Sequence, residues 1–237
     1  MTEIREINRR FYDRLWSQVR LIEAQRFNTW PIVAELLRSA PRRLEVAPGL
    51  RPRLPLTGTD FADQSVPALQ CLRARGAWVA GACVTALPYA DASFDLVAAF
   101  DIVEHVAEDE AALMELSRVL KLGGSLLLSM PLHPSRWTAF DDMVGHHRRY
   151  TLEELVAKLS TAGLEVERSA AFGMQPRAGF WLDLGTWYLT HQRERALWWY
   201  DRVFLPLAVR FQPALQLSAG LIELDQVDEV LLLCRRR

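Results

Sequence analysis

Three histidines and two adjacent acids share one polar segment, "MPLHPSRWTAFDDMVGHHRRYT", residues 130–151. Histidine titrates near neutral pH and can take the proton of a reacting hydroxyl group, so His133 and His146 are our candidates for a general base. The rival interpretation is a metal site. Its ligands would be His146, His147, Asp141 and Asp142. We expect no metal, because adjacent histidines in a loop do not converge readily on one ion.

A second candidate site lies in "RRLEVAPGLRPRLPLTGTD", residues 42–60. An apolar run that carries Glu45 meets a Pro-Gly turn, and a second apolar run ends in Asp60. A carboxylate at the C-terminal edge of a parallel sheet can bind ribose hydroxyls, so Asp60 is predicted to contact a bound nucleotide. Only ten residues separate Gly49 from Asp60, and the two prolines among them argue against a helix.

The elements that position these residues alternate along the chain. Strand-like runs lie at residues 43–47, 56–61, 77–81, 94–100 and 124–130, and in "LEVERSA" and "VDEVLLLC". Helical patterns at 63–76 and 106–124 lie between them, and Thr151 with Glu154 fits the capping box of another helix. This alternation predicts an α/β fold with a mainly parallel sheet covered on both faces.

Both flanking regions are predicted to be helical. Residues 3–39 carry apolar side chains at three- and four-residue steps, and Pro31 is placed to open a second helix there. Residues 176–222 are rich in tryptophan and interrupt the alternation, which indicates a helical insertion before the last strand.

The composition limits the classes of function. The chain has 237 residues and a formal net charge of −1, so no overall positive field attracts nucleic acid. Its three cysteines are widely spaced, which is typical of reduced thiols in a cytoplasmic protein. The charged N-terminus does not fit a signal peptide, and no apolar run reaches the ~18 residues of a spanning helix.

The stretch "TALPYADASFDLVAAFDIVEHV", residues 85–106, is followed after a helical pattern by "LKLGGSLLLSMP". This series resembles the class I S-adenosylmethionine-dependent methyltransferases, in particular the small-molecule, methyltransferase type 11-like group, from about residue 43 to residue 170. The resemblance implies a three-layer sandwich with a seven-stranded sheet, its last strand antiparallel. It also implies S-adenosyl-L-methionine as the cofactor.

The resemblance assigns the parts of the cofactor to residues of this chain. It implies that Glu45, Ala47 and Gly49 hold the methionine part, that Asp60 binds the ribose, and that Ala82, Cys83 and Val84 surround the adenine. Phe100 and Asp101 match residues beside the sulfonium. Glu104 and His105 match the family's "EH" just after the strand-like run 94–100, where His105 either binds the cofactor or packs under the sheet as a helix-start residue. Cys83 stands where the family usually has an acid. A thiol is a weak acceptor, so we expect backbone groups and packing to hold the adenine.

The resemblance also implies elements that cover the site. We expect one domain with an N-terminal helical lid (1–40), a cofactor-binding half (41–130) and an acceptor-side half (131–237). Tyr12 and Trp16 are predicted to face inward from the lid, where closure would exclude water. The residues predicted to contact the acceptor are Trp16, Trp137, Arg149, Tyr150 and Trp181.

The Pro-rich stretch after Gly49 replaces an expected helix. In most members of the family that helix directs its N-terminus toward the methionine carboxylate of the cofactor. Arg51 and Arg53 are predicted to supply the positive charge instead. Residues two apart in an extended chain point the same way, so both arginines face the cofactor or both face solvent.

The function predicted from the sequence is methyl transfer from S-adenosylmethionine to a small organic acceptor, with a marginal preference for oxygen because of the histidines. A non-catalytic binding protein that keeps the fold is the alternative. A nicotinamide-dependent dehydrogenase is disfavoured, because the chain lacks a GxGxxG turn. The predicted partner is the acceptor alone, with no nucleic acid and no integral membrane segment; a homodimer is left open.

Overall fold

The computed structural model describes residues 12–173, 187–188, 191–192, 195, 198–223 and 227–237. Eight strands of this part form one sheet in the order β3-β2-β1-β4-β5-β8-β6-β7. The strands are β1 Arg43–Val46, β2 Thr59–Asp63, β3 Trp78–Gly81, β4 Phe94–Phe100, β5 Leu120–Pro131, β6 Leu164–Phe172, β7 Ser218–Ala219 and β8 Glu229–Arg236.

The sheet is mainly parallel, and its last strand is antiparallel as predicted. Strands β1 to β5 pair in parallel with their neighbours, whereas β8 lies between β5 and β6 and runs antiparallel to both. The predicted α/β fold is therefore confirmed. The eighth strand is the two-residue β7, which pairs with β6 and lies within the predicted helical insertion.

Helices cover the two faces of the sheet. The α-helices with both ends among the described residues are α1 Trp30–Leu36, α2 Val66–Ala74, α3 Asp109–Val119, α4 Ala139–Val144, α5 Leu152–Thr161 and α6 Leu205–Arg210. Side chains of α3 and α5 pack in one apolar cluster with Val97 and Leu126, whereas α1 packs in another with Leu96 and Leu127. Alternate residues of β4 and β5 thus face opposite layers, as the period of two in a strand requires.

The flanking regions agree in part with the sequence prediction. Residues 12–18 are helical, and α1 carries Pro31 at its start. In the insertion, residues 200–204 form a π-helical turn that continues into α6. No helix of the described residues combines the length and the apolar character needed to cross a bilayer. The division into lid, cofactor half and acceptor half remains a prediction.

The connection between β1 and β2 contains no helix, as predicted from its prolines. The buried side chain of Glu45 stabilises this connection. The Glu45 carboxylate, 1% exposed, accepts hydrogen bonds from the backbone N–H groups of Arg53 (2.8 Å) and Leu54 (2.8 Å). Burial raises the pKa of Glu45 to about 7, although these two N–H groups and the Arg53 charge oppose that rise.

Candidate active site

A cavity of about 340 Å³ opens at the C-terminal ends of β1 to β4. The strand order reverses between β1 and β4, and such a switch point is where open α/β sheets bind ligands. The volume lies within the ~300–1,000 Å³ typical of small-molecule sites. The cavity wall is built from the ends of four strands, the helical segment 12–18 and α6.

Most of the predicted cofactor residues line this cavity. They are Tyr12, Glu45, Ala47, Arg51, Arg53, Ala82, Cys83, Val84, Phe100, Asp101 and His105. Trp16, predicted to face the cofactor and the acceptor, also lines it. The structure therefore brings together residues that are far apart in the sequence. Their individual roles remain predictions.

Asp60 is a correction to the sequence prediction. The second strand runs over Thr59–Asp63 and not over 56–61, so Asp60 is its second residue and lies outside the cavity lining. Asp63 occupies the C-terminal end instead and lines the cavity. The two acids differ by three positions, and the apolar run alone did not fix where the strand ends.

Asp63 is held rigidly at the cavity. One carboxylate oxygen accepts the backbone N–H of Gly49 at 2.9 Å, and the other accepts that of Ser65 at 2.8 Å. Burial raises the pKa of Asp63, while these backbone hydrogen bonds act against the rise. Gly49 does not itself line the cavity; it connects β1 to the end of β2 through this bond. A signal for Asp63 exists in the sequence, because Ser65 and Pro67 mark a helix start directly after it.

The N-terminal segment forms one wall. Tyr12 and Trp16 stack with ring centroids 6.1 Å apart, and the Tyr12 hydroxyl lies 3.3 Å from His105 Nε2. Asp13, which the sequence analysis did not single out, accepts a hydrogen bond from the Ser65 hydroxyl at 2.7 Å. Gly49 has φ +53°, and a Cβ there would collide with the Trp16 ring. Whether this wall moves as a lid remains a prediction.

Both arginines of the β1–β2 connection lie on the cavity wall. The Arg53 guanidinium lies 3.8 Å from the centroid of Phe27 and 5.4 Å from that of Phe100. Arg51 donates to the carbonyl of Arg20 at 2.6 Å and lies over Trp16 at 5.7 Å. Of the two predicted orientations, the structure contains the one in which both face the cavity. Their pairing with a carboxylate remains a prediction.

The residues predicted to lie near the adenine follow β3. Ala82, Cys83 and Val84 line the cavity, and Thr85 donates its hydroxyl hydrogen to the Cys83 sulfur at 3.1 Å. A bridge between Cys83 and Ala86 closes the turn. The backbone here is fixed by its own contacts, which fits a surface that binds a flat ring by packing.

Of the described histidines, His105, predicted to bind the cofactor, lines the cavity. Burial, with the neighbouring His146, lowers the pKa of His105 to about 3, so the ring is neutral at pH 7. The His146 ring lies behind it at a centroid distance of 4.6 Å. His146 Nδ1 lies 2.7 Å from Asp141, and its Nε2 lies 3.9 Å from Glu104.

The carboxylate of Asp141 fixes the position of His146. It is fully buried and accepts hydrogen bonds from Arg149 Nε at 2.8 Å and Nη2 at 2.9 Å. It also closes a capping box with Thr138 at the start of α4, a pattern that the sequence "TAFD" contains. Burial alone would raise the pKa of Asp141, but the hydrogen bonds from His146, Arg149 and Thr138 lower it.

Several predicted catalytic or acceptor residues do not line the cavity. His133 and His146 are absent from its wall. Arg149 is buried in its ion pair with Asp141, and Tyr150 is fully buried and donates to Asp109 at 3.1 Å. Trp137 is exposed and donates to Asp142. These predictions rested on the position of the residues in one loop, which does not determine the side chains that face the cavity. Trp181 lies outside the described residues.

Comparison with known proteins agrees with this geometry. Residues 45–128 match the family model described as a methyltransferase domain. A probable S-adenosylmethionine-dependent methyltransferase of Mycolicibacterium smegmatis is 39% identical over 85 residues, which cover 34% of this chain and 32% of the relative. The alignment thus spans about a third of the length of the curated relative.

Solved structures share the fold. An S-adenosylmethionine-dependent methyltransferase of Thermotoga maritima has a TM-score of 0.60 and 18% identity, covering 89% of this chain and 88% of its own. The [4+2]-cyclase SpnF has a TM-score of 0.52 and 19% identity, covering 87% of this chain and 80% of its own. The fold and the cavity define a class I methyltransferase architecture. This chain is therefore similar to S-adenosylmethionine-dependent methyltransferases in sequence over about a third of its length and in fold over most of it.

Proposed function

We propose that this chain transfers the methyl group of S-adenosylmethionine to a small organic acceptor, and that the accepting atom is a hydroxyl oxygen. One observation carries the choice of oxygen: His105 lies on the cavity wall, backed by His146 and the buried Asp141. The neutral His105 ring can accept a hydrogen bond from a hydroxyl group and so orient it toward the cofactor, although a pKa of about 3 makes this ring a weak base.

The cavity residues fit the cofactor in size and in chemistry. We propose that Asp63, in place of Asp60, binds the ribose hydroxyls, because its carboxylate is buried, fixed by two N–H groups and directed to the cavity. Cys83 and Val84 would pack against the adenine. Arg51 and Arg53 would lie near the methionine carboxylate, where an arginine forms strong charge-assisted hydrogen bonds.

The acceptor would lie against Phe27, Phe100 and Leu205, in the same cavity as the cofactor and beside the Arg53 guanidinium. Leu205 belongs to α6, and therefore to the predicted insertion. This position supports the expectation that the insertion covers the acceptor. An acceptor with an aromatic or aliphatic body and one hydroxyl group fits such a surface.

The contribution of the chain to the reaction is positioning and proton handling. The bound cofactor supplies a methyl group that its sulfonium makes strongly electrophilic. Segment 12–18, α6 and the strand ends enclose the reacting groups, and alignment of this kind contributes at most ~7–11 kcal/mol to lowering the barrier. His105 faces the hydroxyl hydrogen, with His146 behind it as a positioning residue.

The experiment has two stages. Calorimetry first measures the binding of S-adenosylhomocysteine, and methyl-labelled S-adenosylmethionine is then incubated with a metabolite extract, the labelled product being identified by mass spectrometry. We expect a labelled methyl ether. A labelled amine would refute the choice of oxygen, and binding without any transfer would favour the non-catalytic alternative.

A matched pair of variants tests the histidines. His146→Ala should lower turnover by at least about tenfold and leave the affinity for S-adenosylhomocysteine nearly unchanged, because His146 lies behind the cavity wall and supports His105. His133→Ala is the control, since His133 lies off the cavity wall. Equal turnover in wild type and His146→Ala would show that the transfer needs no histidine cluster.

A further inference from the structure

Three potential metal ligands converge at and behind the part of the cavity wall that His105 forms. Glu104, His105 and His146 each offer one ligand atom, and these atoms lie within 4.8 Å of one another. Glu104 and His105 belong to the 3₁₀ turn Val103–His105 after β4, while His146 follows α4. This set shares only His146 with the predicted set of His146, His147, Asp141 and Asp142.

An independent feature points to a ligand that this cluster would bind. Glu104 is 1% exposed, and among the described residues no hydrogen-bond donor reaches its Oε2 atom. Buried carboxyl oxygens are almost always partnered, and leaving one unpartnered carries the desolvation penalty of that group. A cation bound by the Glu104 carboxylate and the two imidazoles would offset that penalty, with Oε1 as the oxygen nearer to His146.

The surroundings of His146 are those of a metal ligand. One ring nitrogen is fixed at 2.7 Å from the buried Asp141, which leaves the other nitrogen, 3.9 Å from Glu104 Oε1, directed into the cluster. Histidines that bind metals usually use one ring nitrogen as ligand and direct the other to a carboxylate, which fixes the ring orientation. Arg149 in turn holds Asp141 through two hydrogen bonds.

We propose that Glu104, His105 and His146 bind a divalent transition-metal ion, and specifically Zn²⁺. Two histidines and one carboxylate form a known catalytic zinc set, with a fourth position for an oxygen ligand. At zinc–ligand distances of about 2.0–2.2 Å, tetrahedral ligand atoms lie roughly 3.3 Å apart, so the cluster has to contract by about 1 Å. His105 lies on the cavity wall, so the proposed metal site adjoins the cavity.

This inference deepens the proposed function and rests on it in one respect. A zinc ion at this place would take over the withdrawal of charge from the acceptor hydroxyl, with His105 and His146 as its ligands. The binding of Zn²⁺ itself does not depend on any methyl transfer.

The test uses the full chain after treatment with a chelator. Calorimetry measures binding of Zn²⁺ alone to wild type, Glu104→Gln, His146→Gln and the surface control His191→Gln. We expect one ion per chain in wild type and in the control, and an affinity lower by about a hundredfold or more in the two ligand variants. Circular dichroism checks that each variant is folded.

A second measurement does not depend on variants. Co²⁺ added to wild type should give the visible absorption of a four-coordinate site, and Zn²⁺ should abolish it. Wild type that binds no Zn²⁺ stoichiometrically, or ligand variants that bind it like the control, would overturn the proposal. Zinc binding without methyl transfer would refute only the proposed function, whereas methyl transfer that chelation leaves unchanged, with no zinc binding, would refute only the metal site.

Discussion

Replacing Asp63 by asparagine tests the ribose site with an almost isosteric change. Each Asp63 oxygen accepts one backbone N–H, from Gly49 at 2.9 Å and from Ser65 at 2.8 Å. Asparagine has one acceptor oxygen and one NH₂ group, so one of these N–H donors would face another donor. The variant therefore loses a charged acceptor at the cavity and part of the support of the β1 and β2 ends.

The size of the effect follows from these bonds. A hydrogen bond to a charged group contributes about 1.5–3 kcal/mol. Loss of one such bond to a ribose hydroxyl corresponds to a dissociation constant larger by about tenfold to a hundredfold. Loss of the bond to Gly49 or Ser65 should lower the free energy of unfolding by about 1–3 kcal/mol.

Asp60→Asn is the matched control, since it makes the same chemical change in the same strand but outside the cavity. Calorimetry with S-adenosylhomocysteine and with 5′-methylthioadenosine gives the affinities, and urea unfolding gives the stability. Both ligands carry the ribose, so Asp63→Asn should weaken both by similar factors. Unchanged affinity in Asp63→Asn, or equal weakening in Asp60→Asn, would refute the assignment.

Three further predictions concern the β1–β2 connection and its contacts. Gly49→Ala should weaken cofactor binding by about tenfold and alter tryptophan fluorescence, because its Cβ collides with Trp16; Gly76→Ala, which also has a positive φ but open space, should leave binding unchanged. Replacing both Arg51 and Arg53 by alanine should weaken S-adenosylhomocysteine binding about tenfold or more and barely affect binding of 5′-methylthioadenosine, which lacks the carboxylate. Equal weakening of both ligands would show that the two arginines only shape the loop. Burial raises the pKa of Glu45 from 4.5 to about 7, so the folded state binds this proton more tightly than the unfolded state does. The free energy of unfolding should therefore fall by about 3 kcal/mol as pH rises from about 4.5 to 7. In Glu45→Gln, denaturant unfolding across this range should lack that decline, and an unchanged pH dependence would contradict the assignment.

Features set by neighbouring residues in the sequence, such as helix starts and segments without a helix, were predicted best. The prolines of the β1–β2 connection exclude a helix whatever the tertiary context, and the structure has none there. Thr151 begins α5 as predicted, and its hydroxyl accepts the Glu154 N–H. The buried runs of β4 and β8 likewise indicate strands that are covered on both faces.

The site was harder to predict, because strand ends and side-chain directions depend on tertiary packing. "LPLTGTDFAD" contains two acids three residues apart, and periodicity does not decide which one ends the strand. Arg149 and Tyr150 follow the histidines in a polar segment, yet both are buried, against Asp141 and Asp109. Only the folded chain shows that Arg149 and Tyr150 bind these buried acids and do not line the cavity.

The position of β8 has a kinetic consequence. In β1 and β2, Arg43 pairs with Thr59, close by in the sequence, whereas β8 pairs Arg235 with Ser125 and Arg236 with Leu164. Closing long loops before contacts form slows folding. The sheet around the cavity can therefore assemble first from near neighbours. Until β8 arrives, β5 and β6 each present an open edge, and during that interval the chain is most exposed to pairing with strands of other molecules.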